Sequence, residues 1–182
     1  MIVVYHRRTS LAKIQQQHPH ATIFDMTSRG SQPWIRFSPF YPHGGIPVPF
    51  SPGCVSASVE GIWQGLKVFE RADVDLSKFD ITIMKNLKRS TRTYGKILGH
   101  RQGIAGDQIL PYVEARRLIY LPTYYWVLEH SLQDLLAELK HLEREKTIIF
   151  LDYETNCDVN VVTRPLSHAG LIKLYLEDNW PH

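Results

Sequence analysis

The sequence predicts an α+β fold in a single domain, mainly α-helical, with a small β-sheet. Three observations carry that expectation. Short, β-branched apolar runs at Ile2-Val3-Val4-Tyr5, at residues 22–27 and at residues 147–151 read as strands. Leu132, Leu135, Leu136, Leu139 and Leu142 recur at the spacing of one helix face. The 182 residues are also enough to enclose one hydrophobic core.

From the start of the chain, Ile2–Tyr5 is the first strand, and residues 10–18 form a short polar helix stopped by Pro19. Residues 22–27 are the second strand. It runs into Ser28-Arg29-Gly30-Ser31, whose hydroxyls, arginine and glycine have the chemistry of an anion-binding turn as well as of a plain one. Residues 33–53 carry six prolines and three glycines, which exclude a helix or a central strand. Trp34, Phe37, Phe40, Tyr41 and Phe50 make the same stretch too apolar for a disordered linker. It reads as an ordered, aromatic-rich loop.

Residues 80–98 place Lys85, Lys88, Arg89, Arg92 and Lys96 at helical spacing, giving a basic face. Gly99 is suited to end that helix, leaving His100 and Arg101 in reach of a pyrophosphate. Residues 107–120 read as another helix, and Pro122 as the first turn of the next, which carries the aromatic cluster around Trp126. The leucine-striped helix spans 132–145. The continuous apolar run at 147–151 is the strongest strand, and it delivers Asp152, Glu154, Asn156 and Asp158 to a loop. A last helix covers 169–176.

Composition narrows the function classes. With 43% hydrophobic and 21% charged residues the chain is ordinary for a globular protein, and no apolar run approaches a membrane span, so no membrane partner is expected. Two cysteines without a close partner suit a reducing cytoplasm, and the charges at His6-Arg7-Arg8 follow the first apolar residues, the reverse of a secretory signal. Scattered histidines and an oxygen row lacking a calcium loop's glycine lead to no expected metal or cofactor. The formal charge of +3 suits a small anionic ligand as well as nucleic acid.

The chemistry concentrates in residues 55–70. Read as one helix capped by Ser56 or Ser58, they put Glu60, Trp63, Gln64 and Lys67 in one row. Gly61 and Gly65, each costing about 1 kcal/mol against alanine in a helix interior, open a face to a neighbouring backbone or a ligand. The competing account has Glu60 and Lys67 solvated and Trp63 in the core.

Residues 58–69, Ser-Val-Glu-Gly-Ile-Trp-Gln-Gly-Leu-Lys-Val-Phe, resemble the signature helix of the NADAR (YbiA-like) family, which runs Ser-Val-Glu-His, two residues, Gln, two residues, Lys-Phe. Phe37-Ser-Pro-Phe-Tyr41 is similar to the family's Phe-Ser-Asn-Phe, and Leu98-Gly99-His100-Arg101 to its Leu-Gly-Arg. Gly61 and Pro39 replace the family's His and Asn. The likeness covers residues 34–103. It implies a YbiA-like fold over the whole chain and an N-glycosidase that hydrolyses an ADP-ribosyl or phosphoribosyl nucleotide derivative.

On this reading Glu60 is the general base or cation stabiliser, because cleaving an N-glycosidic bond passes through an oxocarbenium-like state. Asp152, nearest the apolar strand, is the second acidic group. Lys67 and Arg101, with Arg29, contact phosphate; Trp63 or Trp126 stacks on a base, and Gln64 completes the row. The expected partner is a small nucleotide or ADP-ribose-type ligand. The alternatives are a non-catalytic module that senses or sequesters such a ligand, to which the replaced His and Asn point, and nucleic-acid binding by the basic residues at 85–96.

Overall fold

The computed structural model describes residues 1–181 and is a mixed α/β structure of helices and small sheets. Strand β1 (Ile2–His6) leads to helix α1 (Leu11–Gln17), where the Ser10 hydroxyl accepts from the Lys13 amide and caps the first turn. Strand β2 (Thr22–Asp25) follows. The proline-rich stretch is ordered, with a 3-10 turn at Trp34–Phe37 and a two-residue strand β3 (Ile46–Pro47) paired antiparallel to β4 (Val55–Ser56). Helix α2 (Val59–Gly65) leads into β5 (Lys67–Phe69).

No long basic helix forms among residues 80–98. Its place is taken by an irregular stretch, a single turn α3 (Thr91–Tyr94) and strand β6 (Ile97–Arg101), which pairs with β5 and with β7 (Ile109–Leu110). Ile81-Thr82-Ile83 is β-branched, and Asn86 adopts a left-handed φ of 62° that breaks any helix there. Gly99 therefore caps nothing. It lies within β6 at φ 152°, and a side chain there would collide with the Leu110 carbonyl of β7.

One helical run then covers α4 (Tyr112–Ala115), a π-helical turn (Arg116–Tyr120) and α5 (Leu121–Ser131). Pro122 lies inside this run rather than opening a separate helix. Proline lacks an N–H and its ring crowds the carbonyl four residues back, which accounts for a widened turn just before it. Helix α6 (Gln133–Glu145) buries Leu135, Leu136 and Leu139, strand β8 (Ile148–Asp152) is buried throughout, and α7 (His168–Leu176) is capped by Ser167. No helix among the described residues is long and apolar enough to cross a membrane.

The chain divides into two compact units. The first joins Met1–Ser38 to the chain from Leu132 onward; the second is Pro39–Ser131. In the first unit β8 lies between β1 and β2, parallel to both, with Ile2 opposite Ile148 and Thr22 opposite the same residue. This is the expected small sheet of N-terminal strands and the 147–151 strand. Alternation along a strand sends Ile149 and Leu151 to one face, where they pack with Ile14 of α1, Val3, Tyr5 and Ile23. A strand covered on both faces needs an unbroken apolar run, which is what its sequence shows.

In the second unit α2 sits beside the β5–β6–β7 sheet. Its two glycines fit close neighbours. A side-chain carbon on Gly61 would stand 2.7 Å from the Lys78 carbonyl, and one on Gly65 would enter the Phe79 ring.

Candidate functional site

The second unit gathers charged and aromatic side chains around α2. Ser58 caps the helix by accepting from the Gly61 amide at 3.0 Å, and the Glu60 amide donates to the Pro39 carbonyl at 2.9 Å. These bonds fix the first turn and with it Glu60, which is 8% exposed. Gln64 Nε2 donates to Glu60 Oε1 at 2.8 Å; the other carboxylate oxygen has no hydrogen-bond partner among the described residues. Burial drives the Glu60 pKa above the ordinary glutamate value, against the opposing pull of Gln64, Lys67 and Lys88.

The helix ends before Lys67, so the expected row of four is not one helix face. Lys67 opens β5, where Lys67-Val68-Phe69 pairs with β6. Its ammonium nevertheless stays close to the rest, 5.9 Å from the Trp63 ring and within electrostatic reach of Glu60. Lys67 is 8% exposed and has no hydrogen-bond or ion-pair partner among the described residues. Burial pushes its pKa down; Glu60 opposes the shift, and Arg89 and Lys88 add to it. Carboxyl and amine are thus both driven toward their uncharged forms, an arrangement met more often at functional sites than in ordinary cores.

Arg89, read from sequence as part of a helical basic face, is buried. Its guanidinium donates to the carbonyls of Gln64 (3.2 Å) in the last turn of α2, of Lys67 (2.6 Å) in β5 and of Asp73 (2.8 Å), tying the end of α2 to the chain that follows it. Its amide donates to Gln64 Oε1, so the Gln64 side chain bridges Arg89 and Glu60 and holds both rather than facing a ligand. Lys88 extends over the Phe40 ring at 5.6 Å and acts electrostatically on Glu60 and Lys67.

His100, read from sequence as a helix-end residue in reach of a pyrophosphate, is a fully buried residue of β6 lying directly opposite Lys67. The Trp63 and His100 rings lie 3.7 Å apart between centroids, and Trp63 also meets Tyr112 and Tyr120. Neither imidazole nitrogen has a hydrogen-bond partner. Burial, reinforced by Lys67, pushes the pKa down to about 3 against a weaker opposing pull from the Trp63 backbone, so the ring is neutral. A buried polar group left unpaired costs about 1–3 kcal/mol, a cost that a ligand can remove.

The remaining expected residues are engaged in contacts of their own. Arg101 grips both oxygens of Asp73 and donates to the Asp107 carbonyl, which occupies the guanidinium. Trp126 is on α5, stacked on His130 at 4.5 Å. Arg29 belongs to the first unit and is exposed; its amide donates to Thr27 Oγ1, and the Gly30 amide donates to the Thr27 carbonyl, so neither amide is turned to an anion.

Asp152 also belongs to the first unit. Its Oδ1 accepts from the Tyr153 amide at 2.7 Å, and its Oδ2 accepts from Ser167 Oγ (2.7 Å) and the Ala169 amide (3.2 Å), fastening β8 to the start of α7. His168 Nδ1 lies 3.2 Å from the same Oδ2, while Nε2 donates to the Met26 carbonyl at 2.7 Å. Asn156 and Asp158 spend their side chains on the backbone of their own loop.

No curated protein and no solved structure matches this chain. A family model matches residues 6–172, from the last residue of β1 through the first half of α7, and hence takes in every charged group of the Glu60 cluster. The chain belongs to the family described as "Family of unknown function (DUF6939)".

Proposed function

We propose that the Glu60 cluster binds the ribosyl phosphate part of an ADP-ribosyl or phosphoribosyl nucleotide derivative and hydrolyses its N-glycosidic bond. One observation carries the reading. A buried carboxylate with a free oxygen stands near a buried amine that has no hydrogen-bond or ion-pair partner among the described residues. An anionic ligand supplies what Lys67 lacks and draws it back to its charged form. The likeness of residues 58–69 to the NADAR signature, with Glu60, Gln64 and Lys67 at matching positions, supports the same reading and the YbiA-like fold that goes with it.

In the proposed reaction the C1′–N bond breaks and its electron pair goes to the nitrogen. Water supplies the oxygen that joins C1′; one of its protons stays on the new hydroxyl and the other passes through Glu60 to the nitrogen. A carboxyl whose pKa is raised by burial suits a group that must take up and release a proton. As carboxylate it also stabilises the oxocarbenium-like state. Trp63, beside Lys67, stacks on the base. Asp152 has no part in these steps, because its oxygens hold α7 to β8.

The test is turnover of ADP-ribosyl and phosphoribosyl N-glycosides by the wild type and by Glu60→Gln, with ADP-ribose binding followed by thermal shift. The expected result is a melting temperature raised by ADP-ribose and a rate at least ~100-fold lower in Glu60→Gln. Turnover by Glu60→Gln at the wild-type rate overturns the assignment. Binding without any turnover makes the protein a sensor or sequestering module, in line with Gly61 and Pro39 standing where the family has His and Asn.

A further inference from the structure

The Glu60–Lys67 chemistry makes no use of His100, which is nonetheless the most conspicuous polar group near it. Its ring is 0% exposed, and both nitrogens are buried without a hydrogen-bond partner. Residues directly opposite in an antiparallel pair leave the sheet on the same face, so the imidazole and the Lys67 amine stand side by side. Trp63 covers the imidazole, its ring centroid 3.7 Å away.

A neutral imidazole has one donor and one acceptor nitrogen. Its best complement is an uncharged group that both donates and accepts, and a sugar hydroxyl is the simplest such group. In a ribosyl ligand whose anomeric carbon meets Glu60, the hydroxyl beside that carbon is the 2-hydroxyl. Hydrogen bonds to this group also strengthen as a glycoside approaches its transition state.

We infer that His100 is the residue that reads the ribose 2-hydroxyl, so that the Glu60 site accepts ribosyl ligands and rejects their 2-deoxyribosyl counterparts. This rests on the reading of the Glu60 cluster as a ribosyl phosphate site. A 2-deoxyribosyl ligand leaves the imidazole unpaired, whereas a ribosyl ligand satisfies it. That asymmetry is how hydrogen-bonding sites discriminate against analogues lacking the group they bind.

The experiment is calorimetric titration with ribose 5-phosphate and 2-deoxyribose 5-phosphate, on the wild type and on His100→Phe. Phenylalanine keeps a flat ring under Trp63 and removes both nitrogens. The wild type is expected to bind ribose 5-phosphate at least ~10-fold more tightly than the deoxy sugar. In His100→Phe the two affinities should converge, with 2-deoxyribose 5-phosphate binding as it does to the wild type.

Equal affinities in the wild type, or undiminished discrimination in His100→Phe, overturn the role of His100 while leaving the ribosyl phosphate site standing. No binding of either sugar phosphate by the wild type overturns the site itself and this inference with it. Should His100→Phe fail to fold, the His100 ring-nitrogen resonances of the ¹⁵N-labelled wild type decide. They should move with ribose 5-phosphate and stay put with the deoxy sugar; equal movement with both rejects the inference.

Discussion

Lys67 and His100 are directly opposite one another across β5 and β6, and neither side chain has a hydrogen-bond partner among the described residues. A protein gains nothing in stability by burying an amine and an imidazole in this way. The strain is electrostatic, and it sits where Glu60 is also held away from water. Sites kept ready for a ligand commonly cost stability in its absence.

That cost is measurable at Glu60. Its folded pKa lies above the ordinary value of 4.5, so the folded state holds the proton more tightly than the unfolded chain. Stability contributed by the protonated form is therefore present below pH 4.5 and is lost as pH rises through the folded pKa. Glu60→Gln should melt at a higher temperature than the wild type at neutral pH, and the difference should vanish in acid. Thermal denaturation across pH checks this; a variant that is less stable at neutral pH would contradict it.

Lys67 behaves in the opposite sense. Its folded pKa is below 10.5, so the unfolded chain binds more protons between the two values and wild-type stability rises with pH through that window. Lys67→Met, which keeps the length of the stem, should abolish this rise, retain stability at neutral pH and weaken ribose 5-phosphate binding. Unfolding of Lys67→Met at neutral pH would make the lysine a structural partner instead.

Arg89 is expected to be structural, in contrast to its neighbours. Arg89→Ala leaves three carbonyls without their buried donor and should cost about 3 kcal/mol. Arg89→Lys should recover little, since one ammonium does not reproduce a planar fork with several fixed donors. Chemical denaturation of both variants measures the two effects.

In the first unit Leu136 is 3% exposed on α6, and Leu136→Ala should destabilise by about 2–5 kcal/mol through the cavity it leaves. An effect below 1 kcal/mol in a denaturant melt would mean that the site collapses to fill the space.

Much of this arrangement was legible in the sequence where one local signal dominates. The β-branched runs of β1, β2 and β8 and the leucine spacing of α6 need no tertiary context, and Ser58 caps α2 as its place before the helix suggests. Legibility failed where a tertiary neighbour overrides local pattern. Lys67 falls seven residues after Glu60, a spacing that mimics a helix row, yet the chain leaves the helix at Leu66 to pair with β6. The cations at 85–96 imitate a helix period in the same way, and only the carbonyls of Gln64 in α2 and Lys67 in β5 explain why Arg89 turns inward. From sequence His100 reads only as a neighbour of Arg101 at a supposed helix end; its burial in β6 carries no signal, because a single histidine in a short strand looks the same whether paired or orphaned.

The parallel sheet of the first unit has a consequence for how the protein is made. Its central strand β8 is supplied after the whole of Pro39–Ser131 has intervened, so β1 and β2 have nothing to pair with until residues 148–152 have been synthesised. The second unit, continuous in sequence, has all its own strand partners as soon as residue 131 is made. On the ribosome the segment that carries Glu60 can therefore close before the parallel sheet, and β1, made well before β8, waits for its neighbour until the second unit is complete.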